Sequence, residues 1–443
     1  MGTFHIQNFG CRATQADGAA LEASLVASGL ETAARDEAGL VILNTCTVTS
    51  AADDDVRQAA RRVHRENPGA RILITGCYAQ RAPEELAALP GVAWVVGNSH
   101  KLQIPELLAA ERAEGSTNGD GSAGAPYHGQ IRVGDIFEQQ TFVGAVVEDA
   151  CGDRTRPNLK IQDGCNNRCS FCIIPFVRGR SRSATPEWVI EQVRNLASRY
   201  REIVLSGINL GRWGRDIEGR ARLAGLIGRL LAETGVERLR LSSVEPMDFS
   251  GDLLGLMASS PRIAPHVHAP LQTGSDSVLR RMHRKYRPRH YEDRIRKARA
   301  LMPDAAIGAD VMTGFPGETD AEFEENRAFI ESLPFTYLHV FTYSERPGTP
   351  AAESRAQVPV PVRKERNRIL RELAAAKNIE FRRRMVGKTL SVVTLEQPGV
   401  ALSGNYLKVQ LSTAREPNLL CEIPIGGLTE AGLQERAPFP MVG

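Results

Sequence analysis

The sequence predicts an α/β protein in three parts: an N-terminal doubly wound parallel-sheet domain, a central partial (β/α)6 barrel and a small C-terminal all-β barrel. Three observations predict it. Short Val- and Ile-rich runs alternate with helically spaced segments twice along the chain, first within residues 1–112 and again within 151–384. Between the two alternations, Glu114–Pro126 is Gly, Ser, Asn and Asp with almost nothing apolar, the composition of a flexible linker or disordered loop within a connecting segment 113–150. Residues 385–443 change character again, to short alternating runs with Gly and Pro between them.

In the first part, Phe4–Phe9, Leu40–Leu43, Arg71–Thr75 and Val92–Val96 read as strands, and Leu21–Leu30 and Ala52–His64 have helical spacing. Strands alternating with helices imply βα units and a parallel sheet. In the central part the candidate strands are Lys160–Ile161, Ile203–Leu205, Leu239–Leu241, Val267–Ala269, Ile307–Met312 and Leu338–Thr342. Trp188–Ala197 follows Thr185 as N-cap with Pro186 at the first helical position, and Phe323–Ile330 follows a Thr319/Glu322 capping box. Six strand–helix units suit a barrel or partial barrel better than a small open sheet. A basic helix, Arg363–Arg384, comes next, and Leu390–Thr394, Tyr406–Leu411 and Leu420–Ile423 form the final β module.

Composition narrows the function classes. At 443 residues, 42% hydrophobic and 24% charged, the chain can build several ordinary globular cores. It holds no run of about 18 apolar residues, so no membrane-spanning helix is expected. The opening Phe4-His5-Ile6-Gln7 reads as a strand rather than a leader, and eight cysteines are too few for a disulfide-stapled scaffold. A cytoplasmic setting is therefore expected, where clustered cysteines hold metal or do redox chemistry. The net charge of +3 hides an uneven distribution. Arg280–Arg299 carries ten Lys/Arg against Glu292 and Asp293, and Arg363–Arg384 carries nine basic residues against three acidic ones. Such runs are either solvated helix faces or a grip on a polyanion through its phosphates.

Cys165, Cys169 and Cys172 form C-x3-C-x2-C in the loop after the first barrel strand, where βα loops build active sites. Three thiolates this close can ligate three corners of an iron–sulfur cluster, leaving one iron open. The alternative is a zinc site completed by Cys151 or a histidine, although zinc sites typically pair C-x2-C with a second ligand pair. Cys11, Cys46 and Cys77 lie 35 and 31 residues apart, but each stands at the end of an expected strand. In a doubly wound sheet the carboxyl ends of the strands open onto one ligand-binding edge, so the three should converge. The alternative is three unrelated buried thiols. Cys151 and Cys421 have no such partners and read as structural.

Together the two triplets resemble the methylthiotransferase family of radical S-adenosylmethionine (radical SAM) enzymes, over almost the whole chain. The resemblance implies two [4Fe-4S] clusters and S-adenosylmethionine: a radical SAM cluster on Cys165, Cys169 and Cys172, the catalytic set, and an auxiliary cluster on Cys11, Cys46 and Cys77. Phe171 stands where the family places an aromatic residue against the adenine. The β module resembles the small RNA-binding barrel called TRAM. The family's chemistry couples a carbon radical, made by a 5′-deoxyadenosyl radical, to a methylated sulfur carried by the second cluster. The implied partners are a tRNA anticodon stem-loop and an electron donor such as flavodoxin or ferredoxin.

The family divides by substrate. Asn44-Thr45-Cys46-Thr47-Val48-Thr49 with Ala52-Asp53, and Thr75-Gly-Cys-Tyr-Ala-Gln80, look most like the branch that methylthiolates C2 of N6-threonylcarbamoyladenosine at tRNA position 37. The Arg-Glu pair of the isopentenyladenosine branch and the Phe-Ile pair of the branch acting on a ribosomal-protein aspartate are both missing here. The chain departs from the family at Thr14, where Asn is usual. Further candidates follow expected strands two and five. Ser206, Gly207, Asn209 and Gly314 either contact S-adenosylmethionine, since glycine lets a ligand reach the backbone, or serve only as turns. Arg280, Arg281, Arg284, Lys285 and Arg287 are the candidate tRNA contacts. His266, His268, His283 and His290 read as surface or core histidines rather than ligands.

Overall fold

In the computed structural model the described residues are 2–114, 128–139, 142, 144 and 155–437, so Cys151 and nearly all of the expected flexible stretch lie outside them. The chain forms two compact units: Met1–Glu148, Asp163–Arg182 and Ser344–Ala352 make the first, and Asp149–Gln162, Ser183–Tyr343 and Glu353–Gly443 the second.

The first unit is built on a six-stranded, all-parallel sheet in the order Glu31–Thr32, Thr3–Asn8, Leu40–Thr45, Arg71–Gly76, Val92–Gly97, Gln130–Arg132. The central strands are apolar throughout because both of their faces are covered. Val41, Leu43, Ile72 and Ile74 pack on one side with Val56, Ala60 and Val63 of helix Ser50–Glu66. Leu40, Ile42, Leu73 and Trp94 pack on the other with Leu21 and Leu25 of helix Arg12–Ala27. That helix starts nine residues before the expected Leu21, because its first half is Ala, Thr, Gln, Asp and Gly and carries almost no apolar signal. Part of the expected connecting segment is structured: Gln130–Arg132 closes the sheet, and Asp135 caps the turn Ile136–Glu138 by accepting from Phe137 N–H at 2.8 Å.

The second unit carries the six barrel strands, Asn158–Asp163, Glu202–Gly207, Arg238–Leu241, His266–His268, Ala306–Thr313 and Tyr337–Thr342. The first three pair in parallel, as do the last three. A parallel bridge from Leu239 to Ile263 links the halves. The Thr185 cap and the Thr319/Glu322 capping box both form. Beyond helix Val360–Met385, five strands close a barrel: Thr389–Thr394, Val400–Ser403, Lys408–Gln410, Leu433–Glu435 and Leu420–Leu428. Phe381 and Met385 of the helix enter the same apolar core as Val392, Val409, Ile423 and Ile425, so helix and barrel stabilise each other.

A charged knot fastens this barrel to the central strands. Fully buried Glu202 accepts from Arg238 Nε at 2.6 Å and Arg240 Nε at 2.7 Å, with Arg156 at 3.2 Å. The same two arginines donate outward to carbonyls of the β module, Arg238 to Ser391 and Arg240 to Ser403 and Gly404. Among the described residues no helix is long and apolar enough to cross a membrane.

Candidate metal centres

Both cysteine triplets belong to the first unit. Cys11, Cys46 and Cys77 follow three neighbouring parallel strands at their carboxyl ends. Two of them sit behind glycines in the left-handed region, Gly10 at φ +94° and Gly76 at φ +103°, where a side chain would be strained. Space demands glycine as well. A Cβ on Gly10 would lie 2.8 Å from Cys46 Sγ, and one on Gly76 would lie 2.4 Å from the Thr45 carbonyl. The turns thus press the three loops together.

Cys46 and Cys77 are buried, while Cys11 is exposed. Burial, reinforced by Cys77 and Cys11, pushes the Cys46 thiol up to about 12, against the opposing pull of the Val48 N–H and Arg178. Three thiols brought to adjacent strand ends are a donor set that a cation would hold deprotonated, which fits an iron–sulfur cluster.

Arg178 supplies the strongest countercharge and was not legible in the sequence. It is buried, and its Nε donates to Cys77 Sγ at 3.2 Å, Nη2 to Asp17 at 2.8 Å and Nη1 to Asp163 at 3.0 Å. Burial opposes its charge, but Cys77, Asp17, Asp163 and Cys11 hold the guanidinium well above its ordinary value. Asn98 adds a donor to Cys77 Sγ at 3.5 Å and ties to the Val177 carbonyl at 2.8 Å. Thr14, at the departure from the family pattern, places its hydroxyl 3.5 Å from Cys11 Sγ. Asn44 donates to the Thr14 carbonyl and to Asn8, joining the first two loops.

The residues flanking Cys46 form a second buried network. Thr47 donates to Asp53 at 2.7 Å, and Asp53 also receives Arg81 at 3.1 Å and Arg346 at 2.6 Å. Thr47 and Asp53, two residues of the substrate-branch segment, are thus held by each other and by two arginines.

The loop of Cys165, Cys169 and Cys172 is tight by its own backbone. Gly164 lies at φ +68°, and a Cβ there would meet the Arg180 carbonyl at 1.9 Å. Cys165 N–H donates to the Gly179 carbonyl, Cys172 N–H to the Cys169 carbonyl, and Asn167 N–H to Cys165 Sγ at 3.4 Å. All three cysteines and Phe171 are half-buried. A backbone donor on a sulfur and partial exposure suit a cluster that must admit a ligand. Because Asp163 immediately precedes this loop, Arg178 braces both triplets at once.

The other candidates lie in the second unit. Ser206 and Gly207 end one strand and Asn209 caps the short turn Leu210–Arg212 after it; Gln162 accepts from Asn209 N–H at 2.6 Å and crowds the space a Gly207 Cβ would need. The Ser206 hydroxyl is buried and, among the described residues, has no hydrogen-bond partner. Gly314 follows the strand Ala306–Thr313 at φ +73°, where a Cβ would strike Arg363, so packing already explains that glycine. Of the basic candidates, Arg280 and Lys285 are exposed, Arg281 pairs with Glu322 at 2.8 Å and Arg287 with Asp276 at 3.4 Å. Arg284 is buried against Glu245 at 2.6 Å.

Comparison with known proteins agrees with this architecture. Residues 159–330 match the Radical SAM superfamily and residues 3–97 the Uncharacterized protein family UPF0004. The threonylcarbamoyladenosine tRNA methylthiotransferase of Aquifex aeolicus is 36% identical over 95% of this chain and 99% of its own length. That of Bacillus subtilis is 37% identical over 92% and 90%. A tRNA-2-methylthio-N(6)-dimethylallyladenosine synthase of Clostridium novyi is 32% identical over 88% and 85%. In fold, the chain resembles the radical S-adenosylmethionine methyltransferase TsrM of Kitasatospora setae, with TM-score 0.58 and 17% identity over 79% of this chain and 76% of that one. The Radical SAM match implies one [4Fe-4S] cluster and S-adenosylmethionine. With two cysteine triplets on one unit and relatives of this identity along nearly its full length, the chain belongs to the radical SAM methylthiotransferase family.

Proposed function

We propose that this methylthiotransferase acts on tRNA in the cytoplasm, placing a methylthio group on C2 of N6-threonylcarbamoyladenosine at position 37 of the anticodon stem-loop. The observation that carries the reading is the set of threonylcarbamoyladenosine tRNA methylthiotransferases that match nearly the whole chain. The segment around Cys46 supports the same branch.

Cys165, Cys169 and Cys172 would hold the cluster that binds S-adenosylmethionine, and Cys11, Cys46 and Cys77 a second [4Fe-4S] cluster. When bound, S-adenosylmethionine supplies a 5′-deoxyadenosyl radical, the reagent needed for a C2–H bond with no acidic proton. This chain's own residues bind and orient. Arg178 and Asn98 hold the Cys77 sulfur by hydrogen bonds, and Arg178 fixes the start of the other cysteine loop through Asp163. The Ser206 hydroxyl, without a hydrogen-bond partner among the described residues, suits a ligand-facing group. Exposed Arg280 and Lys285 suit phosphate contacts better than buried Arg284 does. A one-electron donor such as flavodoxin or ferredoxin completes the partners.

The relatives named for dimethylallyladenosine favour a second reading, the same chemistry on isopentenyladenosine-37. The reconstituted enzyme is therefore offered tRNA bearing either the threonylcarbamoyl or the isopentenyl group, and nucleosides are weighed for an added methylthio group. Gain of that mass on the threonylcarbamoyl tRNA is expected. Gain only on the isopentenyl tRNA, or only on a ribosomal protein, overturns the branch and leaves the chemistry standing.

A further inference from the structure

We propose that His268, Asp310 and His339 form a binding site for a divalent cation of the zinc type in the second unit, separate from both cysteine triplets. The three come from adjacent parallel strands, His266–His268, Ala306–Thr313 and Tyr337–Thr342. Register sets Asp310 beside His339 and His268 beside Gly308. Strand parity therefore places all three side chains on one face, opposite the completely buried Ile307, Ala309 and Val311.

The donor atoms converge. His268 Nε2 and His339 Nδ1 each lie 3.2 Å from Asp310 Oδ1, and all three donor atoms fall within 4.8 Å of one another. Ligand bonds of about 2.0–2.1 Å in a tetrahedral site set neighbouring donors about 3.3 Å apart, close to this spacing. Without a cation, His339 Nδ1 and Asp310 Oδ1 share a hydrogen bond at that 3.2 Å. Two imidazoles and a carboxylate without thiolate suit a borderline cation such as zinc. Three protein ligands leave a position open for water or an oxygen anion such as a carboxylate, and His339 and Asp310 are partly exposed on that side.

The surroundings orient the ligands. The Tyr337 hydroxyl lies 2.8 Å from His268 Nδ1 and 2.7 Å from His266 Nε2, so it can accept from one ring and donate to the other. That contact commits His268 to presenting Nε2 to Asp310, as an outer partner does for a metal-bound histidine. Gly308 makes this possible, because a Cβ there would sit 2.0 Å from the Tyr337 ring.

The test uses the full chain with its clusters reconstituted, so that the six cysteines are occupied. The protein is titrated with zinc chloride, freed of excess, and measured for zinc and iron, with X-ray absorption at the zinc edge. About one zinc per chain is expected, with only nitrogen and oxygen ligands at about 2.0–2.1 Å. Asp310→Asn and His339→Ala should each weaken zinc binding at least tenfold at unchanged iron content, and Tyr337→Phe should weaken it about tenfold. His339 is half-exposed, so that variant tests the site even if Asp310→Asn misfolds. No zinc uptake, sulfur ligands at about 2.3 Å, or equal uptake by wild type and His339→Ala overturns the proposal.

Discussion

A guanidinium shut away from water between two carboxylates and a thiol is stable only while every partner remains. Replacing Arg178 by Leu would take the guanidinium away from Asp17, Asp163 and Cys77 at once, while Lys101 still stands 3.4 Å from Asp17. Breaking a buried ion pair costs about 3–5 kcal/mol, so Arg178→Leu should lower urea-unfolding stability by that order. Arg178→Lys keeps the charge and loses the three-way fork, and should cost less. If the proposed second cluster sits on Cys77, a hydrogen bond to that sulfur raises its reduction potential, so Arg178→Lys should also shift that cluster to a more negative midpoint in an EPR-monitored titration. An unchanged midpoint would reduce Arg178 to a packing role. The cysteines themselves permit a cleaner division. Reconstituted wild type should hold about eight irons as two [4Fe-4S] clusters, and Cys46→Ala should lose about half while still cleaving S-adenosylmethionine. Cys169→Ala should lose the cleavage; equal failure of both variants would refute separate roles. The cysteines were readable in the sequence because their meaning is local, a tight spacing in one triplet and three strand ends in the other. Arg178 lies 101 positions from Cys77, and nothing in one chain's sequence announces that pairing.

At the scale of elements, the strand Glu202–Gly207 and its neighbour Arg238–Leu241 set a buried carboxylate against Arg238 and Arg240, with Arg156 reaching it from just before the strand Asn158–Asp163. Burial alone would raise the Glu202 carboxyl, yet Arg240, Arg238 and Arg156 hold it far below its ordinary range. A depressed folded-state value means that the stabilisation is complete above the unfolded value of about 4.3 and is lost as pH falls below it. Glu202→Gln should therefore cost about 3–5 kcal/mol at neutral pH, and the gap from wild type should shrink as unfolding is measured at successively lower pH. A gap unchanged down to pH ~3 would contradict the assignment. The same strands show where sequence reading succeeds and fails. Long Val- and Ile-rich runs such as Leu40–Thr45 were located to within two residues, because a strand buried on both faces must be apolar throughout. Gln130–Arg132, Val400–Ser403 and Leu433–Glu435 were not found, since three or four residues hold too few alternations to establish a period. Nor was the metal-type cluster of His268, Asp310 and His339 legible, because it exists only once three strands are in register.

Over the whole molecule, a net charge of +3 conceals how much basic charge is turned inward. In the helix Val360–Met385, Arg366 is consumed by Glu318 and Asp320, Arg363 by the Val358 and Tyr343 carbonyls, and Arg382 by the carbonyls of Thr429 and Glu430. Their partners lie far away in sequence or on the backbone, so a count of Lys and Arg overstates the outward charge. Lys364, Arg371 and Arg383 of that helix remain exposed, as do Arg280, Lys285 and Arg289 of the earlier stretch. If tRNA is gripped through its phosphates, the exposed set should carry the salt dependence and the inward set should not. Replacing an exposed member, such as Lys285 or Arg371, by Ala should weaken tRNA binding and reduce the slope of log affinity against log salt by about one unit. Arg366→Ala should instead leave Glu318 uncompensated and lower the unfolding midpoint, because its charge never reaches solvent. Fluorescence anisotropy with labelled tRNA across a salt series, beside denaturant unfolding, separates the two classes. Cleavage of S-adenosylmethionine without RNA should survive in the Lys285 and Arg371 variants, since neither residue belongs to a cysteine loop. A wild-type slope in a combined Arg280, Lys285 and Arg371 variant would return these stretches to ordinary solvated faces and move the tRNA grip elsewhere on the molecule.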